Sequence, residues 1–204
     1  MRGRIVLSSL IVAVASAAVA SAHGPVCGPS KAHTLAADRL ARVYSQGGTV
    51  YGCAKGSHSS YVLGSASPSA TRQHGRVGPI ALAGVDVAFG RTTSGVDVIS
   101  AEVLVKNLTD GRVLRDHSAT AGNFGAETAQ RVDSIVVKPD GSVAWIATIS
   151  SIISTRGTTQ VRKSDRTQRT SLDSSPKIKP DSLRLHRSEL RWRNGSVTKT
   201  ATLR

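Results

Sequence analysis

The sequence has 204 residues, enough for one domain of ordinary size. It contains 27 Lys and Arg against 13 Asp and Glu, and the resulting net charge of +14 favours polyanionic partners over cationic ones. Beyond the N-terminal segment no apolar stretch approaches the ~20 residues of a membrane-spanning helix, so we expect no membrane span in the mature protein.

The N-terminal segment has the three parts of a secretory signal peptide. Arg2 and Arg4 precede an apolar run, and Ala20 and Ala22 form the small-residue pattern of a cleavage site. The run of about 16 residues is too short and too rich in Ala and Ser for a membrane anchor. The sequence therefore predicts that residues 1–22 are removed and that the mature protein is secreted, either extracellular or associated with the cell envelope.

Two cysteines, Cys27 and Cys53, follow the signal peptide. Because exported proteins fold where thiols oxidise, a single disulfide between them is predicted; two free thiols or a metal-binding pair are the alternatives. The bridge closes a loop of about 26 residues, worth roughly 3 kcal/mol in the chain-entropy treatment. We expect residues 23–39 to form an N-terminal arm held over the domain by Cys27, and residues 40–204 to form one all-β domain.

From Leu40 onward the chain reads as short β-runs separated by turns. Hairpin turns are expected at Gly47-Gly48, 109–111, 139–141 and Asn194-Gly195, because glycine supplies the positive φ that such turns need and β-branched or alternating runs flank each turn. No segment shows a sustained 3.6-residue period with helix caps. The sequence therefore predicts an all-β fold made of repeated antiparallel hairpins.

Four segments share a plan in which an apolar strand and a turn are followed by a second apolar strand. The matching positions of the second strands are Val50, Val87, Val143 and Leu190, and an aromatic residue lies two positions further on in three of them, as Phe89, Trp145 and Trp192. Two hairpins per unit of about 40–50 residues is the period of a β-propeller blade. We therefore predict a propeller-like array of about four blades with these aromatic side chains between neighbouring blades. A β-sandwich or barrel built from the same hairpins is the alternative.

Four stretches carry this pattern in recognisable form: VYGCAKG, LAGVDVAFGR, VKPDGSVAWIA and DSLRLHRSELRWRNG. They resemble the propeller-like repeats of uncharacterised secreted actinobacterial proteins. The resemblance covers roughly residues 40–204 and lies in the style of the repeat. It implies a fold more than a function, since it brings no catalytic motif with it.

No constellation of catalytic residues can be read from the sequence. There is no nucleophile elbow, no phosphate-binding loop and no paired-histidine zinc pattern. Asp116 and His117 are adjacent, but neighbours in a strand point to opposite faces, so the pair is expected to be idle. We therefore expect no catalytic residue, no metal site and no cofactor, and we expect that the protein is not an enzyme. A secreted hydrolase whose site is assembled from distant loops is the alternative.

Basic residues are concentrated near the C-terminus. Arg184, Arg187, Arg191 and Arg193 are interspersed with apolar residues, so a half-buried hairpin displays the arginines on its solvent face. The sequence thus predicts a secreted, non-catalytic binding or structural protein whose basic face associates with anionic cell-envelope components. The expected partner is an anionic wall polymer or an envelope protein, and export makes nucleic acid the least natural partner. A solvated face without any partner is the alternative.

Overall fold

The strands form successive antiparallel meanders, which we call blades 1 to 4. The computed structural model describes residues 27–67, 75–122, 127–153 and 157–204, which contain fifteen strands and no helix. None of these residues therefore belongs to a helix long and apolar enough to span a bilayer. The predicted all-β fold is confirmed.

The first two blades have four strands each. Blade 1 comprises β1 (His33–Ala37), β2 (Ala41–Gln46), β3 (Thr49–Ala54) and β4 (Tyr61–Ser65), and blade 2 comprises β5 (Arg76–Ala83), β6 (Asp86–Ser94), β7 (Val98–Asn107) and β8 (Val113–Ser118). β1 lies within the segment 23–39 treated above as an arm, so strand structure begins at His33 and not at Leu40.

Blade 3 also has four strands, and blade 4 has three. Blade 3 comprises β9 (Thr128–Val137), β10 (Val143–Ser151), β11 (Gly157–Ser164) and β12 (Arg169–Ser175), and blade 4 comprises β13 (Arg184–His186), β14 (Glu189–Asn194) and β15 (Val197–Thr202). The four predicted turns separate β2 from β3, β7 from β8, β9 from β10 and β14 from β15. Each contains a glycine with positive φ, as the turn chemistry requires.

Short parallel pairings join the first three blades. Ser65 of β4 pairs with Arg76 of β5, and Val98 and Ile99 of β7 pair with Thr128 and Ala129 of β9. Among the described residues, neither strand pairing nor a shared hydrophobic cluster connects blade 4 to blade 1. The array is therefore propeller-like with about four blades, but it does not close into a ring.

The hydrophobic core consists of layers between neighbouring blades. Phe89 lies in the layer between blades 1 and 2, Trp145 in the layer between blades 2 and 3, and Trp192 in the layer between blades 3 and 4. All three side chains are at most 3% exposed. The prediction that these aromatic residues pack between blades is confirmed, and the burial of each stabilises the fold by about 2–3 kcal/mol.

The predicted match of Val50 with Val87, Val143 and Leu190 is wrong by one strand. In blades 2 to 4 the aromatic residue lies on the second strand, whereas Val50 belongs to β3, the third strand of blade 1. The second strand, β2, contains the buried aromatic residue Tyr44, which packs with Cys27 and Cys53 on the side away from blade 2. Tyr44 is thus the equivalent of Phe89. The glycine that broke the pattern, Gly52, allows close packing, since a Cβ there would lie 2.7 Å from Cδ2 of Leu108.

The segment before β1 covers the face of blade 1 that points away from blade 2. The predicted Cys27–Cys53 disulfide is present, with the two Cα atoms 5.7 Å apart. Arg42 lies over the ring of Tyr44 at 5.2 Å and donates hydrogen bonds to the carbonyl oxygens of Cys27, Pro29 and Ala32. The disulfide and this guanidinium group therefore hold the segment against Tyr44.

Blade 4 is fastened to blade 3 through a carboxylate on β12. Asp173 accepts hydrogen bonds from Nε1 of Trp192 at 2.8 Å, Nδ2 of Asn194 at 3.1 Å and Nζ of Lys199 at 3.0 Å. Burial raises the pKa of Asp173, but these donors outweigh it and hold the pKa below its ordinary value. The carboxylate therefore stabilises the docking of blade 4 in its ionised form.

Loss of the disulfide should destabilise the protein through the loop that it closes. We expect the double variant Cys27→Ser/Cys53→Ser to lose about 3 kcal/mol of unfolding free energy, as estimated from loop closure. Urea unfolding, followed by fluorescence with and without reductant, measures the difference. Reductant should shift the midpoint of the wild-type protein and leave the double variant unchanged. Equal midpoints for the oxidised wild type and the double variant would contradict the assigned role.

Replacement of the carboxylate that holds blade 4 should make stability less dependent on pH. Asp173→Asn should cost about 1–3 kcal/mol at neutral pH, because hydrogen bonds to a charged group are lost. A lowered pKa contributes stability above the unfolded-state value of about 4, and this contribution disappears as the pH falls through the folded-state value. The difference in unfolding free energy between the variant and the wild-type protein should therefore become smaller in acid. Asp181→Asn, at an exposed carboxylate, is the control; a difference independent of pH would contradict the prediction.

Candidate functional site

The outer face of blade 4 gathers the arginines singled out in the sequence. Arg184 pairs with Arg191 across β13 and β14, and Arg193 follows on the same side of β14. Leu190 alternates with them and is fully buried against blade 3. Arg187 occupies the β13–β14 turn with φ of 57°, exposed at the edge of this face. The structure thus places three of the four arginines on one face and the fourth beside it.

Two lysines on the chain before β13 extend this face. Ile178 forms an antiparallel bridge with Asn194, and the backbone N–H of Lys179 donates to the carbonyl oxygen of Arg193 at 2.9 Å. Ile178 is buried toward blade 3, and its exposed neighbours Lys177 and Lys179 therefore lie on the outer side. In the sequence, the alternation of Lys177, Ile178 and Lys179 is the pattern that indicates this placement. We define the basic face as Lys177, Lys179, Arg184, Arg187, Arg191 and Arg193.

Few acidic groups neutralise the basic face. Arg191 forms an ion pair with Glu189, with Nε to Oε1 at 2.8 Å, and the hydrogen bond raises the pKa of Arg191. Arg184 donates instead to the backbone carbonyl oxygens of Asp181 and Leu183. In the part of the chain that the structure describes, Glu189 is the only carboxylate that forms a salt bridge with any of the six cations. Most of the positive charge is therefore available to a partner.

Exposed hydroxyl groups lie alongside the cations. Thr200 of β15 pairs with Arg191, and Thr198 pairs with Arg193. Neighbouring strands are about 4.8 Å apart, and alternate residues along a strand are about 6.7 Å apart. The face thus presents positive charges and hydroxyl groups at regular spacings, which suits a ligand with repeated anionic groups.

The adjacent residues Asp116 and His117 do not act together. Asp116 is exposed, whereas the half-buried ring of His117 stacks on Trp145 with a centroid distance of 6.2 Å. Nε2 of His117 lies 2.8 Å from Oγ of Ser164 on the next blade. The expectation that the two side chains point to opposite faces is confirmed.

Two carboxyl groups with opposite pKa shifts lie at the start of β6 and on the turn that precedes β10. Burial raises the pKa of Asp86, and the negative charge of Asp140 raises it further, against a hydrogen bond from Asn107. Burial also raises the pKa of Asp140, but hydrogen bonds from Ser142 and the charge of Arg166 bring it below its ordinary value. A carboxyl group with a raised pKa near one with a lowered pKa is the arrangement that general acid–base chemistry uses. Sequence spacing did not reveal it, because the groups lie on different blades.

The remaining site predictions concern metals and cleavage. In residues 27–67, 75–122, 127–153 and 157–204, no group of three His, Cys, Asp or Glu side chains is arranged to hold a metal ion. The predicted cleavage residues Ala20 and Ala22 lie outside the described residues, so the signal peptide stays a prediction.

Comparison with known proteins yields likenesses of structure. No family model matches the sequence, and no curated protein matches it. The chain is similar to a Trypanosoma rangeli sialidase in complex with the inhibitor DANA, with 9% identity and a TM-score of 0.45 over 79% of this chain and 33% of that chain. It is also similar to a neuraminidase-like protein of A/little yellow-shouldered bat/Guatemala, with 8% identity and a TM-score of 0.44 over 79% of this chain and 50% of that chain. The chain thus spans a third to a half of the length of these proteins.

The expectation that the protein is not an enzyme is corrected by these findings. The solved structures similar to the chain include a sialidase, which is an enzyme. The exclusion rested on the absence of local motifs, and a pair such as Asp86 and Asp140 shows that the fold brings together acidic groups that no local motif records. At these identities the likeness concerns the fold alone, and no substrate or catalytic residue follows from it.

The opposite shifts of the two carboxyl groups predict opposite effects of neutralising them. A raised pKa costs stability as the pH rises through the folded-state value, so Asp86→Asn should increase the unfolding free energy at neutral pH and leave it unchanged in acid. A lowered pKa contributes stability at neutral pH, so Asp140→Asn should decrease the unfolding free energy there. Urea unfolding at neutral pH and at about pH 3 measures both. If Asp86→Asn decreased the unfolding free energy at neutral pH, the prediction would be wrong, because the fold would then stabilise the ionised carboxylate.

Proposed function

We propose that the protein is secreted and binds an anionic polymer of the cell envelope through the basic face of blade 4. The observation that carries the proposal is the concentration of six exposed or edge cations with one paired carboxylate, Glu189. The partner chemistry is a polymer with repeated phosphate or carboxylate groups. An envelope protein is the other outcome that the test below distinguishes.

The pairing of cations elsewhere supports this assignment. On blades 2 and 3 the salt bridges are Arg91–Glu102, Arg112–Asp110, Arg131–Asp133, Lys163–Asp165 and Arg166–Asp140. These pairs neutralise five of the cations of blades 2 and 3. The basic face differs, because among the described residues only one of its six cations, Arg191, forms a salt bridge.

The position of the face also supports binding. Among the described residues no other strand pairs with β13–β15, and no hydrophobic cluster lies on the outer side of blade 4. A face meant to stack on another blade would carry apolar residues, whereas this one carries Arg, Lys and Thr. The disulfide between Cys27 and Cys53 is compatible with an extracellular location.

Electrostatics sets the expected behaviour. An isolated pair of exposed charges contributes at most about 1 kcal/mol, so affinity requires several contacts formed at once by a multivalent partner. Such contacts are screened over about 10 Å at 0.1 M salt, so binding should weaken as the salt concentration rises. Surface hydroxyl groups such as that of Thr200 add hydrogen bonds that salt affects less.

Neutralisation of the basic face should abolish binding to anionic polymers. The variant Arg184→Gln/Arg187→Asn/Arg191→Gln/Arg193→Gln should no longer co-sediment with purified cell envelopes at low salt, whereas the wild-type protein binds and is released at high salt. Asparagine is used at position 187 because it tolerates positive φ.

The control has the same charge change at exposed cations elsewhere: Lys31→Gln, Arg39→Gln, Arg76→Gln and Arg112→Gln. Retention of binding by the control supports a specific surface. Equal loss in both variants, or no binding of the wild type at low salt, would refute the proposal. Binding that survives protease treatment of the envelopes identifies a polymer, and binding lost with it identifies a protein.

A further inference from the structure

A buried arginine without a carboxylate partner lies between blades 2 and 3. Arg162 of β11 is 5% exposed, and its Nη1 donates to the carbonyl oxygen of Ser118 at 3.1 Å. Its guanidinium carbon lies 5.5 Å from the ring centroid of Trp145. Nε of Arg162 has no hydrogen-bond partner among the described residues. The fold therefore holds a buried cation whose donors are only partly used.

No acidic residue of the chain compensates this charge. All 13 Asp and Glu residues belong to the described ranges, and none of them forms a salt bridge with Arg162. Burying a charge is costly unless it is paired and hydrogen-bonded. One carbonyl group and one indole ring offset only part of that cost, and an external anion would offset more of it.

Other cations on neighbouring strands face the same layer between blades 2 and 3. Ser164 pairs with Arg169 across β11 and β12, and Oγ of Ser164 contacts Nε2 of His117 on β8 at 2.8 Å. Arg115 lies two residues before His117, so it shares the face of β8 that looks toward blade 3. Three guanidinium groups and one imidazole ring thus lie near one another.

Burial and the positive charges of these arginines disfavour protonation of the His117 ring. Burial lowers the pKa of His117, and the positive charges of Arg169, Arg115 and Arg162 lower it further, while Asp116 on the other face of β8 opposes them. His117 is therefore neutral at neutral pH and can donate or accept a hydrogen bond without adding to the positive charge. Trp145 of β10 and Ser164 of β11 are its uncharged neighbours.

We propose that Arg115, Arg162 and Arg169 form a binding site for a small oxyanion, a carboxylate, phosphate or sulfate group, between the outer strands of blades 2 and 3. Guanidinium groups donate paired N–H groups that match the oxygens of such ligands, and Ser164 and His117 supply neutral hydrogen bonds beside them. The site lies on different blades from the basic face and does not depend on the polymer binding proposed above.

The two tryptophans allow a direct test. Inorganic phosphate, sulfate and acetate are each titrated into the full protein at constant ionic strength, while NMR follows the indole N–H signals of Trp145 and Trp192 and the ring signals of His117. A saturating shift at Trp145 and His117, with Trp192 unmoved, is the expected result. Stronger binding of phosphate or sulfate than of acetate assigns a tetrahedral ligand, and the reverse order assigns a carboxylate.

Substitutions at the two arginines that are not buried avoid disturbing Arg162. Arg169→Gln and Arg115→Gln should each weaken binding of the preferred probe about tenfold and should raise the pKa of His117 in the absence of anion. Arg112→Gln changes the charge equally at an exposed position on blade 2 and should leave both quantities unchanged. Absence of a saturable shift with all three probes, or an equal loss in Arg112→Gln, would overturn the proposal.

Discussion

The structure depends on one constraint: each blade has an apolar side that only a neighbour can bury. The aromatic residue on the second strand of each blade meets this requirement, and Phe89, Trp145 and Trp192 each fill the layer toward the preceding blade. A single meander of three or four strands cannot bury both of its faces. Stability is therefore shared between layers, and the strands pair within blades far more than between them.

At the two ends of the array one side of the terminal blade has no neighbouring blade to bury it, because blades 1 and 4 do not meet in the described residues. At the first end Tyr44 packs against the segment carrying Cys27, which takes the place of a neighbouring blade. The Cys27–Cys53 disulfide and the hydrogen bonds of Arg42 hold that segment in place. At the other end the outer side of blade 4 is polar and needs no cover. Repeat arrays in general require such polar terminal faces.

Much of the fold could be predicted from the sequence because turn chemistry and burial patterns are local. Asn194-Gly195 marks a hairpin, and the position of Phe89 marks a layer between blades, without knowledge of distant residues. The alignment of the first copy was wrong because Val50 and Gly52 imitate the apolar pattern of another strand. The arginines of the basic face were visible through their alternation with buried residues such as Leu190. The cluster around Arg162 was hidden, since its members come from three strands on two blades.

The distribution of carboxylates explains why positive charge accumulates where it does. Asp38 accepts two backbone N–H groups in the β1–β2 turn, and Asp165 and Asp173 fasten turns and blade 4. Acidic residues are thus largely committed to local structure, where a charged acceptor is worth most. The cations at the outer side of blade 4 and around Arg162 have Glu189 as their one carboxylate partner among the described residues. Positive charge therefore accumulates at these two places, because the acidic residues of neighbouring turns and strands are committed elsewhere.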